Sequence, residues 1–463
     1  MMAQAYAGTR SSVVTDIVRD RALFVTVAFV LTVFGIVMIY STSSIEGLIF
    51  ESTNHNPSYY AFRQAIYAVL GAVVAFVASR FDYRVWARQL IIPIFGVTLL
   101  LLLAVLTSAA GKDAYGATRW LGLGFFHLQP SEFAKITLIL VAAGLIEDYQ
   151  TGYTGDGKTF AYKILGMLLV PLGLILIEPD KGTVLVIGVT IIIMMFVAGI
   201  SLKRLVPMLG AGVLLILGLG LKDAYSRRRF LVALNPWIDP TGDGYQLVQG
   251  LRAIGSGGVF GTGLGMSHQK YSYLPMAYND FIYAIVGEEL GLVGTLSVLA
   301  MFFILIYLGF RLARNAPDLL GQLVAVGCTS ILGVQLLINV CGVLCIIPLS
   351  GKPIPFLSYG GSSIMATLLL VGMVLSVARA AQADAGEGAY AAYDDAPAYQ
   401  GYGAQPGRLR VIRGGGSGST SPSDIRASRE LTQTYGSGRI TTNRNGSRRI
   451  DLGPSASDRL RRR

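Results

Sequence analysis

The sequence has little charge and few cysteines. Only 14% of its 463 residues are charged and 53% are hydrophobic, whereas about a quarter of an average soluble domain is charged. The three cysteines, Cys328, Cys341 and Cys345, all fall in one apolar run. We therefore expect free thiols packed as small apolar side chains, not disulfides or metal ligands. The composition excludes an ordinary soluble domain and places the chain in a bilayer.

Apolar runs recur along the chain, each close to the roughly 17–25 residues that a helix needs to cross a bilayer. They lie near residues 22–42, 64–79, 90–109, 132–147, 164–177, 183–200, 205–221, 281–309, 319–347 and 363–380. The sequence thus predicts an all-α integral membrane protein of about ten transmembrane helices, with a large extracytoplasmic loop between spans seven and eight. No small-residue cleavage site follows the first run, so we expect it to be retained after a cytoplasmic N-terminus of residues 1–21.

Positive charge in the short connections predicts the orientation of the spans. Arg84 lies between spans two and three, Lys203 between six and seven, and Arg311 between eight and nine, each with a further Lys or Arg nearby. These clusters fall on one side of the membrane, and the bias of Lys and Arg toward the cytoplasm makes both termini cytoplasmic.

The C-terminal segment 381–463 has a different composition, rich in Gly, Ser, Ala, Tyr and Arg. It carries 13 Arg against 8 Asp and Glu, a net charge of 13 − 8 = +5 out of +11 for the chain. Such a segment cannot build a core and is predicted to be a disordered basic cytoplasmic tail. It either contacts membrane lipids or an acidic partner, or is simply solvated. No nucleic-acid partner is expected.

Residues 152–159, GYTGDGKT, match the phosphate-binding P-loop pattern at every position. A P-loop needs a preceding strand and a supporting sheet, whereas predicted membrane helices flank this segment on both sides. We interpret it as a Gly-rich turn.

The remaining polar clusters concentrate in connections on the predicted extracytoplasmic side. They are residues 110–131, EPDKGT at 178–183, the long connection 222–279, and GKPIPFLSYGGSS at 351–363. Solvated loops alone would place polar residues on both faces, so this asymmetry predicts one shared site. Its cations suit a phosphate-bearing ligand. Because no ATP is expected outside the cell, chemistry there requires a substrate with its own leaving group, such as a lipid-linked pyrophosphate.

Acidic residues lie at the mouths of two spans. Glu132 and Lys135 are three residues apart on one helical face, which suits an ion pair that is either functional or purely structural. Asp280 precedes the eighth span, where it suits an N-cap, a reactive carboxylate or both roles together. Glu288 and Glu289 lie about 12 Å deeper in the span, at 1.5 Å per residue, and are interpreted as structural or gating groups.

Several segments, in order, resemble the SEDS family of shape, elongation, division and sporulation proteins. They are ATRWLGLG with QPSEFAK, EPDKGT, NPWIDPTGDGYQLVQ, AIGSGGVFGTGLGMSHQKYSYLP, NDFIYAIVGEELG and GKPIPFLSYGGSS. The resemblance covers about residues 20–380 and gives a membrane domain at 22–380. GLGMSHQK followed by YLP is more similar to the division member of the family than to the elongation member.

The resemblance implies a peptidoglycan glycosyltransferase that polymerises lipid II, a disaccharide peptide linked to undecaprenyl pyrophosphate. It implies a class B penicillin-binding transpeptidase and other divisome proteins as partners, at the septum in a bacterial cytoplasmic membrane. By motif, Asp280 matches the essential carboxylate and is expected to be the general base. The residues expected to bind substrate are Arg119, Glu132, Lys135, Lys270 and Lys352.

The sequence departs from the family pattern at a few positions and leaves some alternatives open. Met276 and Tyr278 stand where the family usually has an acid and a histidine, and Lys181 replaces an aliphatic residue. No metal ligands and no cofactor are specified, and a divalent cation such as Mg²⁺ or Mn²⁺ bridging the pyrophosphate stays open. The other functions considered are a lipid II flippase, an elongation-type polymerase and an inactive scaffold.

Overall fold

The computed structural model describes residues 2–107, 111–114, 117–123, 126–222, 224–271, 273–394, 432–435, 438–442 and 448–451. Contacts divide the chain into two units, residues 1–396 and 397–463. The first unit contains all the predicted spans.

Helices make up most of the first unit. In chain order they are α1 (Met2–Ile49), α2 (Tyr59–Arg80), α3 (Ile91–Thr107), α4 (Pro130–Gln150), α5 (Gly157–Ile177), α6 (Lys181–Val197), α7 (Leu202–Lys222), α8 (Ala224–Leu234), α9 (Tyr245–Ser256), α10 (Ile282–Arg314), α11 (Leu319–Val343) and α12 (Gly361–Asp394). Every predicted span coincides with one of them, while α8 and α9 lie in the predicted loop. The helical membrane fold is confirmed.

Length and composition make α1, α2, α5, α10, α11 and α12 able to cross a membrane, and α3 and α6 are shorter apolar helices. The chain is therefore a multi-pass membrane protein, while the count of ten spans stays a prediction. Helix α4 carries charged residues at both ends, including Glu132 and Glu147, which lower its mean hydropathy although most of the helix is buried.

Two small sheets were not predicted. Strands β1 (Gly111–Ala114), β2 (Ala117–Leu123) and β3 (Phe126–Leu128) form an antiparallel sheet in which Leu121 pairs with Gly111 on one side and Leu128 on the other. In the second unit, β4 (Thr432–Tyr435), β5 (Gly438–Thr442) and β6 (Arg448–Asp451) form another. These strands fall in the segment predicted to be disordered, and α12 continues past residue 380 to Asp394. Residues 395–431 of that segment lie outside the described residues.

Asp side chains cap three helices of the bundle. Asp156, Asp180 and Asp318 accept hydrogen bonds from backbone N–H groups at the starts of α5, α6 and α11, at 3.0, 3.1 and 2.7 Å. A short polar side chain at this position satisfies a donor that the helix leaves free. Asp156 belongs to GYTGDGKT, which runs from the turn after α4 into α5. The interpretation as a turn is confirmed.

The central helix of the bundle is α11, which packs against α4, α6, α10 and α12. Its C-terminal half carries two buried polar residues, Gln335 and Asn339. Helix α10 is broken at Gly291, whose φ is +67°. A Cβ at Gly291 would lie 2.4 Å from the Gly261 nitrogen, so the loop before α10 packs into this break. The eighth predicted span is therefore two helical segments.

Arginines join the helix ends at the side predicted to be cytoplasmic. The ion pairs are Arg84–Asp318 at 2.7 Å, Arg88–Glu147 at 2.5 Å and Arg311–Asp20 at 2.9 Å. They link the connection after α2, the end of α4, the end of α10, the start of α11 and Asp20 in the N-terminal half of α1. The positive clusters are thus gathered at one end of the bundle, whereas their cytoplasmic location stays a prediction.

Candidate active site

The polar connections predicted to be extracytoplasmic meet at the other end of the bundle. Arg119 on β2 donates from Nε to the Glu178 carbonyl at 2.9 Å and from Nη2 to the Pro179 carbonyl at 2.7 Å. The Gln129 N–H donates to the Ser362 hydroxyl at 2.9 Å. The sheet after α3 is thus fastened both to the turn before α6 and to the start of α12.

Lys352 and Asp180 form a buried ion pair within this cluster. The Lys352 Nζ lies 2.6 Å from the Asp180 Oδ2 and 2.6 Å from the Thr183 Oγ1. The side chains are 3% and 1% exposed. Burial raises the pKa of Asp180, but the charge and hydrogen bond of Lys352, the charge of Arg119 and the Thr183 N–H together outweigh it and hold the pKa at about 2. A Cβ at Gly182 would lie 2.9 Å from the Lys352 Cγ, so the pair requires a glycine there.

Asp280 lies two residues before α10, in contact with the loop that carries Lys352. A Cβ at Gly351 would lie 3.3 Å from the Asp280 Oδ2. The Asn339 Nδ2 donates to the carbonyls of Asp280 and Lys352, at 2.9 and 2.7 Å. The N-cap of α10 is Phe281, so the alternative of Asp280 as the N-cap is wrong.

Three cations act on the Asp280 carboxylate. Burial raises its pKa, and the charges of Lys352, Arg229 and Arg119 oppose that rise, in decreasing order. Arg229 follows α7 on α8 and donates to the Leu349 carbonyl at 3.4 Å. The carboxylate is therefore more basic than an exposed Asp but remains within the field of three positive groups.

Glu178 is a second acid of the site, and sequence reasoning did not single it out. It is 1% exposed, and neither carboxyl oxygen has a hydrogen-bond partner. Burial and the Asp180 carboxylate raise the pKa of Glu178 to about 8, against the opposing charges of Lys352 and Arg119. At neutral pH this group is mostly protonated and can donate a hydrogen bond.

The predicted ion pair at the start of α4 is confirmed. The Lys135 Nζ lies 2.8 Å from the Glu132 Oε2 and 2.8 Å from the Gln335 Oε1. The Gln335 Nε2 donates to the Pro353 carbonyl at 2.7 Å. These contacts connect α4 and α11 to the loop that carries Lys352. Glu132 and Lys135 therefore help to hold that loop in place.

Lys270 is the one predicted substrate-binding residue that the structure places in a separate network. Its Nζ donates to the Gly265 carbonyl. The adjoining Ser267 hydroxyl and His268 N–H donate to the Glu288 carboxylate at 2.5 and 2.8 Å. Glu288 thus holds the loop before Asp280, and Glu289 accepts from the Ser41 hydroxyl of α1 at 2.6 Å. The interpretation of both glutamates as structural groups fits these contacts.

The structure adds four residues to the site that were not predicted from the sequence: Asp180, Glu178, Gln335 and Asn339. Asp180 and Glu178 lie within the EPDKGT motif, between two predicted spans. Two acids in so short a connection between membrane helices were a signal that could have identified them. Gln335 and Asn339 are four residues apart, on one face of a predicted span, and buried polar residues in a span are expected to be functional.

A family model described as "Cell cycle protein", which covers FtsW, RodA and SpoVE, matches residues 21–383. The chain belongs to this family. It is the SEDS family that the motifs resemble, and the matched region contains every candidate site residue and ends near the predicted end of the membrane domain.

Known members of the FtsW/RodA/SpoVE family are similar to the chain over most of their length. The probable peptidoglycan glycosyltransferase FtsW of Geobacter metallireducens is 40% identical over 78% of this chain and 95% of the relative. Stage V sporulation protein E of Bacillus subtilis is 38% identical over 77% of this chain and 96% of the relative. A solved structure described as "Structural coordination of polymerization and crosslinking by a peptidoglycan synthase complex" has a TM-score of 0.62 and 29% identity, over 77% of this chain and 97% of that chain.

Proposed function

We propose that this chain is a peptidoglycan glycosyltransferase that polymerises lipid II at the outer face of a bacterial cytoplasmic membrane during cell division. The carrying observation is the position of the Asp280 carboxylate against Gly351, the residue before Lys352, where the charges of Lys352, Arg229 and Arg119 act on its pKa. The names of the FtsW relatives support the reaction and the division role.

Asp280 is the proposed general base. A hydroxyl oxygen of one sugar attacks the anomeric carbon of the other, forming a C–O bond, while the bond to the lipid pyrophosphate breaks. The hydroxyl proton passes to the Asp280 carboxylate, which then releases it to water. Partial burial suits this role because it raises the basicity of the carboxylate.

Lys352, Arg229 and Arg119 are the proposed partners of the pyrophosphate. The leaving group takes the electrons of the broken bond, and fixed cations stabilise the negative charge that develops on it. Arg119 and Lys352 are already oriented by the 178–183 turn. Their positions therefore need little rearrangement when the charge appears.

Buried polar atoms without a partner surround this position and suit a sugar with many hydroxyls. Among the described residues they include the Asn279 Oδ1, Asn339 Oδ1, Ser350 Oγ and both carboxyl oxygens of Glu178. A buried polar atom left unpaired costs about 1–3 kcal/mol. Hydrogen bonds to a bound saccharide would remove that cost.

A divalent cation at the pyrophosphate stays a prediction. In the part of the chain that the structure describes, no group of three or more His, Cys, Asp or Glu side chains could ligate a metal. Asp180, the nearest acid to Lys352, is held by that lysine. The described residues therefore do not form a metal site on their own.

The proposed partner is a class B penicillin-binding transpeptidase, together with other divisome proteins at the septum. The similarity to a chain from a complex that coordinates polymerisation and crosslinking supports this assembly. Both termini are proposed to be cytoplasmic, because the arginine clusters that join helix ends then lie inside.

The deciding experiment incubates the purified protein with labelled lipid II, with and without the transpeptidase. Glycan strands longer than the substrate, in either reaction, support the proposal. Lipid II that crosses vesicle membranes without being joined would identify a flippase instead. If the protein neither forms glycan strands nor moves lipid II across the membrane, the result supports the inactive scaffold.

A further inference from the structure

The short segment before α10 that carries Asp280 is held at two backbone positions. The Tyr278 carbonyl accepts from the Tyr359 N–H at 2.9 Å, and the Asp280 carbonyl accepts from the Asn339 Nδ2 at 2.9 Å. Between them, the Asn279 N–H donates to the Met276 carbonyl at 2.9 Å. These bonds fix the path of the backbone at Asp280.

A third attachment comes from the Tyr278 side chain, which is 5% exposed. Its hydroxyl donates to the Glu46 Oε1 at 3.2 Å. Its ring centroid lies 4.7 Å from that of Tyr60 and 5.6 Å from that of Tyr359. Burial raises the pKa of Tyr278, and the Glu46 carboxylate raises it further. The phenol therefore stays protonated and remains a donor.

The partners of Tyr278 lie on elements outside the candidate site. Glu46 is in the last turn of α1 and Tyr60 is the second residue of α2. The Tyr60 ring also lies 5.2 Å from that of Tyr359. The α1–α2 hairpin thus makes a contact of its own with the segment, in addition to the backbone bonds from α11 and the loop before α12.

We propose that Glu46 and Tyr278 act as a pair of positioning residues for the Asp280 carboxylate. Only Asn279 separates Tyr278 from Asp280, so a movement of the phenol is transmitted along two peptide units to the base. This inference rests on the proposed glycosyltransferase function, because it takes Asp280 as the base. A misplacement of about 1 Å in a reacting group can lower a rate by about 100-fold.

The test compares variants that remove either end of the bond. Tyr278→Phe keeps the ring contacts and deletes the hydroxyl, together with its hydrogen bonds to Glu46 and Tyr60, and Glu46→Leu deletes only the acceptor on α1. Each is expected to lower kcat for lipid II about tenfold with KM within about twofold, as for loss of one bond to a charged group. The double variant should be no worse than Tyr278→Phe alone, because Tyr278→Phe already removes the bond that Glu46→Leu removes.

Two further variants serve as controls. Glu46→Gln keeps an acceptor oxygen and should retain at least about half of kcat, since a neutral acceptor still bonds the phenol. Tyr273→Phe, at a side chain 58% exposed in the same connection, should leave kcat unchanged. Hydrogen exchange of the 276–281 amides, measured without substrate, should be faster in Tyr278→Phe and Glu46→Leu than in the wild type and in Tyr273→Phe.

Unchanged kcat together with unchanged exchange in Tyr278→Phe overturns the proposal, and so does a double variant whose loss is the product of the single losses. If Glu46→Leu fails to fold, Tyr278→Phe and Glu46→Gln still decide. A wild-type protein that makes no glycan overturns the proposed function and the kinetic part of this inference. The exchange rates then show independently whether the Glu46–Tyr278 bond holds the segment.

Discussion

Lys352 and Asp180 are joined by a bond of 2.6 Å although one precedes α12 and the other caps α6. Both charges are buried, and each would cost several kcal/mol without its partner. The bond therefore fixes the loop that contacts Asp280 relative to the turn held by Arg119. The Lys352–Asp180 ion pair thus sets the position of Arg119 and Lys352 relative to Asp280, the proposed base.

Replacing Lys352 with Met should destabilise the fold by about 3–5 kcal/mol, because Asp180 is left as a buried charge without a partner. Thermal unfolding of the purified protein in detergent, followed by tryptophan fluorescence, measures the loss. The double variant Asp180→Asn/Lys352→Met should recover part of the stability, since no unpaired charge remains. Equal unfolding temperatures for the wild type and Lys352→Met would show that the pair contributes nothing.

Asp280→Asn should lower lipid II polymerisation by at least about 100-fold, because the amide keeps the shape of the side chain but cannot accept a proton. Initial rates with labelled lipid II measure the effect. Asp243→Asn is the matched control, at an exposed acid of the same connection, and should polymerise normally. Rates for Asp280→Asn within about tenfold of wild type are too high for the loss of a general base.

Hydropathy located the helical segments because a bilayer requires long apolar runs. It did not locate the break at Gly291, since the cause is the approach of the Gly261 backbone, which belongs to a separate segment of the chain. The sheet of β1 to β3 was also missed. Its strands are short, and a pattern of so few residues with several glycines carries little signal.

The site was predictable in part. Motifs predicted Asp280, Arg119 and Lys352 as site residues, and the structure gathers them at one end of the bundle, while their roles and their membrane face stay predictions. The ion pair of Lys352 with Asp180 depends on contacts between distant segments, which one sequence does not contain. Lys270 illustrates the same limit, because its loop folds toward Glu288. Glu178 could be recognised as a site residue only once the structure showed that its carboxyl group is buried without a hydrogen-bond partner.

Glu178 predicts how stability depends on pH. Its pKa is about 8 in the folded chain, raised from 4.5, so the folded state binds a proton that the unfolded state releases. Its contribution to stability is present below about pH 4.5 and is lost as the pH rises through about 8. Glu178→Gln should remove that loss. Unfolding temperatures from pH 5 to 8.5 should fall more steeply for the wild type than for the variant, and parallel curves would contradict the raised pKa.

The orientation in the membrane can be tested with single cysteines in a variant whose native Cys328, Cys341 and Cys345 are replaced. Ser256 ends α9 and Ser201 precedes α7, and both are exposed. A cysteine at Ser256 should react with a membrane-impermeant maleimide in intact spheroplasts, whereas one at Ser201 should react only after the membrane is opened. The reason is charge, since the reverse orientation would place the arginine clusters outside. If Ser201 labels first and Ser256 does not, Asp280 faces the cytoplasm, and polymerisation outside the cell is untenable.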